Sequence, residues 1–165
     1  MARVWKFGAD VDTDQIVPGR YAPYMLKAGQ DVQDYAFIEA RPDFAREAQP
    51  GDIIVAGNNF GCGSSREYAP EALRRRQIGA IIAPSFARIF FRNAINLGIP
   101  LFTAPNVVTM LADGDEVELD LANGRIQAGN MVIELPPLPD FAREIVEAGG
   151  ITVYVRKYGR FPGEY

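Results

Sequence analysis

An α/β fold, with parallel strand–helix units in the middle of the chain and antiparallel strands after them, is predicted by three features of this 165-residue sequence. Short apolar runs at 53–56, 78–84 and 99–103 read as buried strands. The stretches between them have helical composition or spacing, as parallel crossovers require. Beyond residue 115 the pattern becomes a meander, in which Asn123-Gly124 is a strong hairpin signal.

In chain order, Val4–Phe7 alternates and is expected as the first strand. Residues 8–21 read as a loop from their Gly, Asp and Pro content. Asp10, Asp12 and Asp14 have the alternate spacing of a calcium loop, but the glycine and distal glutamate of an EF-hand are missing. Turn hydrogen bonds are their expected role, with Asp14 able to project into a site. Residues 21–31 carry no periodicity, and their aromatic and Met side chains suit a pocket wall, a partner contact or packing onto the domain. Short helices are expected at 34–40 and 42–48, the second opening on Pro42.

Glu71–Gln77 favours helix, and Arg74-Arg75-Arg76 reads as its solvated face. After the strand at 78–84, Ser85 is a good N-cap for a helix over 86–97 that Gly98 ends. Phe86, Ile89, Phe90, Asn93 and Leu97 share one face of that helix and are expected in the core. Arg88 and Arg92 lie four apart on another side; they are within reach of an anion, but pairing with nearby carboxylates is the expectation. A short helix over 106–112, strands at 116–121, 125–127 and 131–135, and a stiff Pro136–Pro139 link follow. Asp140 caps a helix over 141–148 that Gly149-Gly150 ends, and Ile151–Val155 reads as a last strand. The whole of 1–165 is expected as one domain, with 157–165 a flexible tail.

Composition excludes several classes of function. A net charge of −4 gives no electrostatic footprint for nucleic acid. No apolar run approaches the roughly 20 residues of a membrane-spanning helix, and no signal-peptide pattern opens the chain, so a cytoplasmic location is expected. The single cysteine, Cys62, forms no internal disulfide and cannot hold an iron–sulfur cluster alone. The chain has no histidine, which removes Ser-His-Asp and Cys-His catalysis and every imidazole zinc site. No metal or cofactor is expected on this chain by itself.

Polar chemistry concentrates in Gly57–Pro70, Gly-Asn-Asn-Phe-Gly-Cys-Gly-Ser-Ser-Arg-Glu-Tyr-Ala-Pro, between a strand and a helix. Its glycines permit the close backbone approach of an anion cradle. It matches neither a P-loop, nor a dinucleotide fingerprint, nor a nucleophile elbow. Ser64-x-x-Glu67 has the spacing of a capping box, and spacing alone does not separate that role from chemistry. Cys62 reads as a small residue between glycines. In the functional reading Arg66 offers a planar fork to a substrate carboxylate, Ser64 and Ser65 donate to oxyanions, and a stabilised Ser64 alkoxide removes a proton from carbon. A small carboxylic acid is the implied substrate.

The 57–70 stretch resembles the signature of the 3-isopropylmalate dehydratase small subunits, in the aconitase superfamily. Asp10–Tyr21, Asp-Val-Asp-Thr-Asp-Gln-Ile-Val-Pro-Gly-Arg-Tyr, resembles that family's N-terminal signature, and Ser85–Pro100 resembles a third. The resemblance implies a swivelling β/β/α domain, like the fourth domain of aconitase, that closes over a large subunit carrying a [4Fe-4S] cluster. It implies interconversion of 2- and 3-isopropylmalate through isopropylmaleate, in leucine biosynthesis, with iron as Lewis acid on the leaving hydroxyl. By motif Ser64 corresponds to the catalytic base, Ser65 and Arg66 to substrate-carboxylate binders, and Asp14 to an aspartate at the edge of the site.

Residues 21–27 depart from the short loop usual after the N-terminal signature, a loop that helps to set substrate choice in this family. Tyr24, Met25 and Leu26 suggest an apolar wall and so an alkyl substrate, whereas Lys27 argues for a further carboxylate. Homoaconitase and 2,3-dimethylmalate dehydratase small subunits share the frame and are the alternatives. A non-catalytic anion-binding domain is the alternative from another class.

Overall fold

The computed structural model describes residues 1–164. Its strands are β1 (Ala2–Lys6), β2 (Ile53–Val55), β3 (Ala80–Ala83), β4 (Leu101–Thr103), β5 (Glu116–Asp120), β6 (Arg125–Ala128) and β7 (Met131–Glu134). Its α-helices are α1 (Thr13–Ile16), α2 (Pro42–Glu47), α3 (Tyr68–Arg75), α4 (Arg88–Asn96), α5 (Pro105–Met110), α6 (Asp140–Ala148) and α7 (Ile151–Tyr158).

The strands make a seven-stranded sheet in the order β4-β3-β2-β1-β5-β6-β7. β1 to β4 are parallel, with Val4 opposite Ile53, Ile54 opposite Ile81 and Ile82 opposite Phe102. β5 joins β1 antiparallel at Ala2–Val117, and the β5–β6–β7 meander continues from it. Every residue of β2 and β3 is buried, the mark of a parallel sheet covered on both faces. On one face Trp5, Ile54, Ile81 and Leu101 pack against Phe44, Leu73, Phe90 and Ile145 of the helices. On the other, Val4, Ile53, Val55 and Ile82 meet Val117, Ile126 and Ile133, so the meander curls back over the parallel half. The three layers are helix, parallel sheet and antiparallel sheet, the β/β/α arrangement expected.

Several local expectations are revised. Residues 34–40 do not form an α-helix: a 3-10 turn spans Val32–Tyr35, with Asp31 accepting from Gln33 N, and turns follow. The helix expected from Phe86 begins at Arg88, and Ser85 does not cap it. Ser85 Oγ accepts instead from Asn59 N at 2.8 Å, and Phe60 and Phe86 form a parallel bridge, so 85–87 stays extended. The buried face of α4 is accordingly Phe90, Ala94 and Ile95, whereas Ile89 is 56% exposed. Arg88 and Arg92 make no ion pair among the described residues, contrary to the pairing expected. Arg76 is not part of a solvated face; its guanidinium donates to the carbonyls of Phe44, Ala45 and Ala48 at the end of α2.

Ile151–Val155 is helical, not a strand, and the helix runs through Tyr158. Local β-propensity is overridden by tertiary contact. Gly150, at φ 124°, lies against the backbone of Asn96 and Leu97 and turns the chain across the helical layer. Tyr154 is buried there and its ring lies 4.6 Å from that of Tyr158, one helical turn on.

Asp52 ties the start of the sheet together. It is 4% exposed and accepts from Arg3 N at 3.0 Å, Trp5 Nε1 at 2.9 Å and Gln49 N at 2.9 Å. Asp52→Ala strands these donors and should lower stability by about 3 kcal/mol. Urea unfolding followed by Trp5 fluorescence measures this; a change below about 0.5 kcal/mol, the level of an ordinary surface substitution, would remove Asp52 from that role.

Candidate functional site

The loops that leave β1, β2 and β3 gather at the carboxyl ends of the parallel strands, where open α/β sheets place their ligands. They are joined by backbone. Gly57 N donates to Gly8 O at 2.9 Å, Asp10 N to Asn58 O at 2.8 Å, Gly61 N to Val11 O at 2.7 Å and Thr13 N to Cys62 O at 2.9 Å. Asp12 and Cys62 form a parallel bridge, so the first and second signature stretches lie side by side. Two glycines make this possible. A Cβ on Gly57 would lie 2.7 Å from Ala9 N, and one on Gly61, at φ 86°, would lie 2.2 Å from Cγ of Phe90.

A capping box does form, but at α1 and not at Ser64–Glu67. Asp12 accepts from Gln15 N at 2.8 Å, and Gln15 Oε1 accepts from Asp12 N at 2.9 Å. The segment expected as plain loop thus holds a one-turn helix that presents Thr13 and Asp14. The three aspartates separate: Asp10 accepts from Asn59 Nδ2, Asp12 caps, and Asp14 pairs with Arg66. At the other stretch α3 begins at Tyr68, and Glu67, with helical backbone angles, contributes no side-chain cap. Ser64 is drawn elsewhere. Its carbonyl accepts from Thr13 Oγ1 at 2.9 Å and from Arg66 N at 2.9 Å, and its Oγ accepts from Arg66 Nε at 2.8 Å.

Arg66 is the hub of these contacts. Its Nη1 lies 2.7 Å from Asp14 Oδ1 and donates to the Tyr68 hydroxyl at 2.7 Å. The Tyr68 hydrogen bond, with the charge of Asp14 adding, holds the guanidinium above its ordinary value. Gly19, in the first signature stretch, makes room for it: a Cβ there would lie 2.8 Å from Nη1. Ser65 is exposed beside it, with no hydrogen-bond partner among the described residues. Cys62 sits behind the loop, where burial, with Asp10 and Asp12 adding, pushes its thiol up and away from thiolate chemistry.

The structure brings Ser64, Ser65, Arg66 and Asp14 to one place. Tyr24 and Met25 are 81% and 59% exposed and Lys27 is exposed, none of them lining the cleft, while Leu26 packs against the helix-side core. A cleft of about 160 Å³ opens between Thr13, Ser64, Ser65 and Arg66 on one side and Arg88 and Ile89 of α4 on the other. Thr13, as the residue that holds the Ser64 carbonyl, and Tyr68, as the anchor of Arg66, were not singled out from the sequence. No spacing rule flags a lone hydroxyl whose partner lies 51 positions away. Among the described residues no three His, Cys, Asp or Glu side chains are grouped to hold a metal ion.

Comparisons with known proteins give the family. The aconitase C-terminal domain family matches residues 11–105. The chain is 52% identical to 3-isopropylmalate dehydratase small subunit 1 of Deinococcus radiodurans, over 99% of this chain and 92% of that protein. It is 55% identical to the homoaconitase small subunit of Thermus thermophilus, over 99% of this chain and 100% of that one. A solved structure of 3-isopropylmalate dehydratase from Methanocaldococcus jannaschii superposes with a TM-score of 0.86 at 41% identity, covering 96% of this chain and 93% of that one. The family match, the identities and the superposition lead to one conclusion: the chain belongs to the aconitase C-terminal domain family, among its 3-isopropylmalate dehydratase-type small subunits.

Proposed function

We propose that this chain is the small subunit of a hydro-lyase that interconverts 2- and 3-isopropylmalate through isopropylmaleate, the isomerisation step of leucine biosynthesis, in the cytoplasm. The observation that carries the reading is the Arg66 Nε donor 2.8 Å from Ser64 Oγ, in a chain without histidine. A guanidinium at that distance favours the serine alkoxide, which lets Ser64 accept a proton from the carbon next to a carboxylate. Ser65 and the remaining N–H groups of Arg66 orient that carboxylate. Asp14 pairs with Nη1, and its displacement by a substrate carboxylate would exchange one ion pair for another.

The site is half of one. Its cleft of about 160 Å³ is smaller than the roughly 300–1,000 Å³ of closed small-molecule sites, so a partner surface has to complete it. The donor set of this chain, one cysteine and no histidine, does not fit an iron–sulfur cluster. We assign that cluster to the large subunit and derive for this chain only binding, orientation and proton transfer.

Homoaconitate is the second substrate to test, because of the 55% identity to a homoaconitase small subunit and because exposed Lys27 could meet a third carboxylate. Exposed Tyr24 and Met25 favour an alkyl group, which isopropylmaleate and dimethylmaleate both carry.

With the large subunit co-expressed anaerobically, Ser64→Ala should lower kcat by roughly 10³-fold, the scale of a lost general base, and leave subunit association intact. Near-normal turnover would end the assignment of Ser64 as base. Arg66→Lys should raise KM by about tenfold or more, since a point charge replaces a fork; unchanged KM and kcat would take Arg66 out of the site. Hydration of isopropylmaleate, homoaconitate and dimethylmaleate, followed by loss of ultraviolet absorbance, identifies the substrate. No turnover of any by an assembled, cluster-loaded complex would leave the family standing and return the substrate question to residues 21–31.

A further inference from the structure

The cleft contains two guanidiniums in opposite states. Arg66 is engaged by Asp14, Tyr68 and Ser64 Oγ, so it and Asp14 together bring little net charge. Arg88 lines the same cleft from the facing wall, is exposed, and has neither ion pair nor side-chain hydrogen bond among the described residues. α4, the sequence Arg-Ile-Phe-Phe-Arg-Asn-Ala-Ile-Asn, holds no carboxylate that could neutralise it. Arg88 is therefore the uncompensated cation of the cleft. Arg92, one turn further along α4, is equally unpaired but does not line the cleft.

Its placement is imposed by the fold. Ala87 N donates to Phe60 O at 2.9 Å, which pins the start of α4 to the glycine loop two residues before Cys62. The Phe90 ring fills the space left by the missing side chain of Gly61, with Phe60 5.3 Å away ring to ring. Arg88 and the Ser64–Arg66 triplet are thus carried by elements fastened to each other, and the interval between them is the cleft itself.

We infer that Arg88 is a second carboxylate anchor: it binds the substrate carboxylate that Arg66 does not hold, across the cleft from Ser64. The inference rests on the proposed function in taking a dicarboxylic acid as the ligand. The chemistry is that of a planar fork meeting a carboxylate, which fixes orientation as well as position. A dicarboxylate held at both ends presents one particular C–H to Ser64 Oγ, which a single anchor does not ensure.

The test uses the assembled complex with its large subunit and two readouts. The first is calorimetric binding of succinate, a dicarboxylate with no group to eliminate; the second is KM and kcat for isopropylmaleate. Arg88→Gln should weaken succinate binding and raise KM by about tenfold or more, the loss of a charge-assisted contact. Arg88→Lys should recover part of this, and Arg92→Gln should change both by less than about twofold. Succinate affinity and KM unchanged in Arg88→Gln would overturn the inference. So would loss of subunit association in that variant by size-exclusion chromatography, since Arg88 would then belong to the subunit contact. A wild-type complex that binds succinate but turns over none of the three unsaturated acids would count against the proposed reaction, while the succinate series would still decide the role of Arg88.

Discussion

The site exists because two backbones touch where side chains would keep them apart. Gly57 and Gly61 let the loop after β2 lie against the loop after β1 and against the Phe90 ring, at separations a Cβ would close to 2.7 and 2.2 Å. A ladder of backbone hydrogen bonds then extends past the strand ends, from Gly8 to Cys62. Everything chemically active is hung on that ladder. Thr13 holds the Ser64 carbonyl, Gly19 makes room for Arg66, and the start of α4 is tied to Phe60. A single methyl group at either glycine would separate elements that have to act together.

The second constraint is charge placed without histidine. A serine hydroxyl is a poor base in water; in the proposed function the compensating charge comes from a neighbour two residues away, Arg66, whose Nε donates to Ser64 Oγ. The guanidinium is itself held by Tyr68 and Asp14, so its fork is pre-positioned before any ligand arrives. Pre-positioning of this kind lowers the reorganisation that accompanies proton transfer. The same contacts leave Arg66 nearly neutralised at rest, which gives an unpaired cation on the opposite wall its importance.

The sheet provides the platform by changing direction at one strand. β1 runs parallel to β2 and antiparallel to β5, so the parallel half with its candidate-site loops and the meander lie on opposite sides of it. Arg41 reinforces that junction: it donates to Lys6 O at 3.0 Å and to both Asp113 oxygens at 2.7 and 2.9 Å, and lies 4.8 Å over the Trp5 ring. Its hydrogen bonds hold the Asp113 carboxyl below its usual range. Asp52 does the same for Arg3 and Trp5 from the other edge. The loops at the carboxyl ends of the parallel strands thereby rest on a stiff base.

What the sequence determined by itself was whatever depends on neighbours in the chain. The buried runs at 53–56, 78–84 and 99–103, the Asn123-Gly124 turn and the concentration of polar groups at Ser64-Ser65-Arg66 were legible because apolar periodicity, turn geometry and functional groups are local properties. The order of the signature stretches also pointed to the family. Only the tertiary structure decided what depends on residues far apart. Ile151–Val155 has strand composition, yet Gly150 lays it as a helix on α4 and α6, where Tyr154 is buried. Ser85 has the chemistry of a cap, yet it is claimed by Asn59, 26 positions earlier. Arg88 was expected to find a carboxylate and faces the cleft unpaired instead. For Ile151–Val155 and Ser85 the local preference is typically worth about 1 kcal/mol. Burial of one large side chain, or a long-range hydrogen bond in place of an orphaned group, contributes about 1–3 kcal/mol, so the distant contact outweighs the local preference.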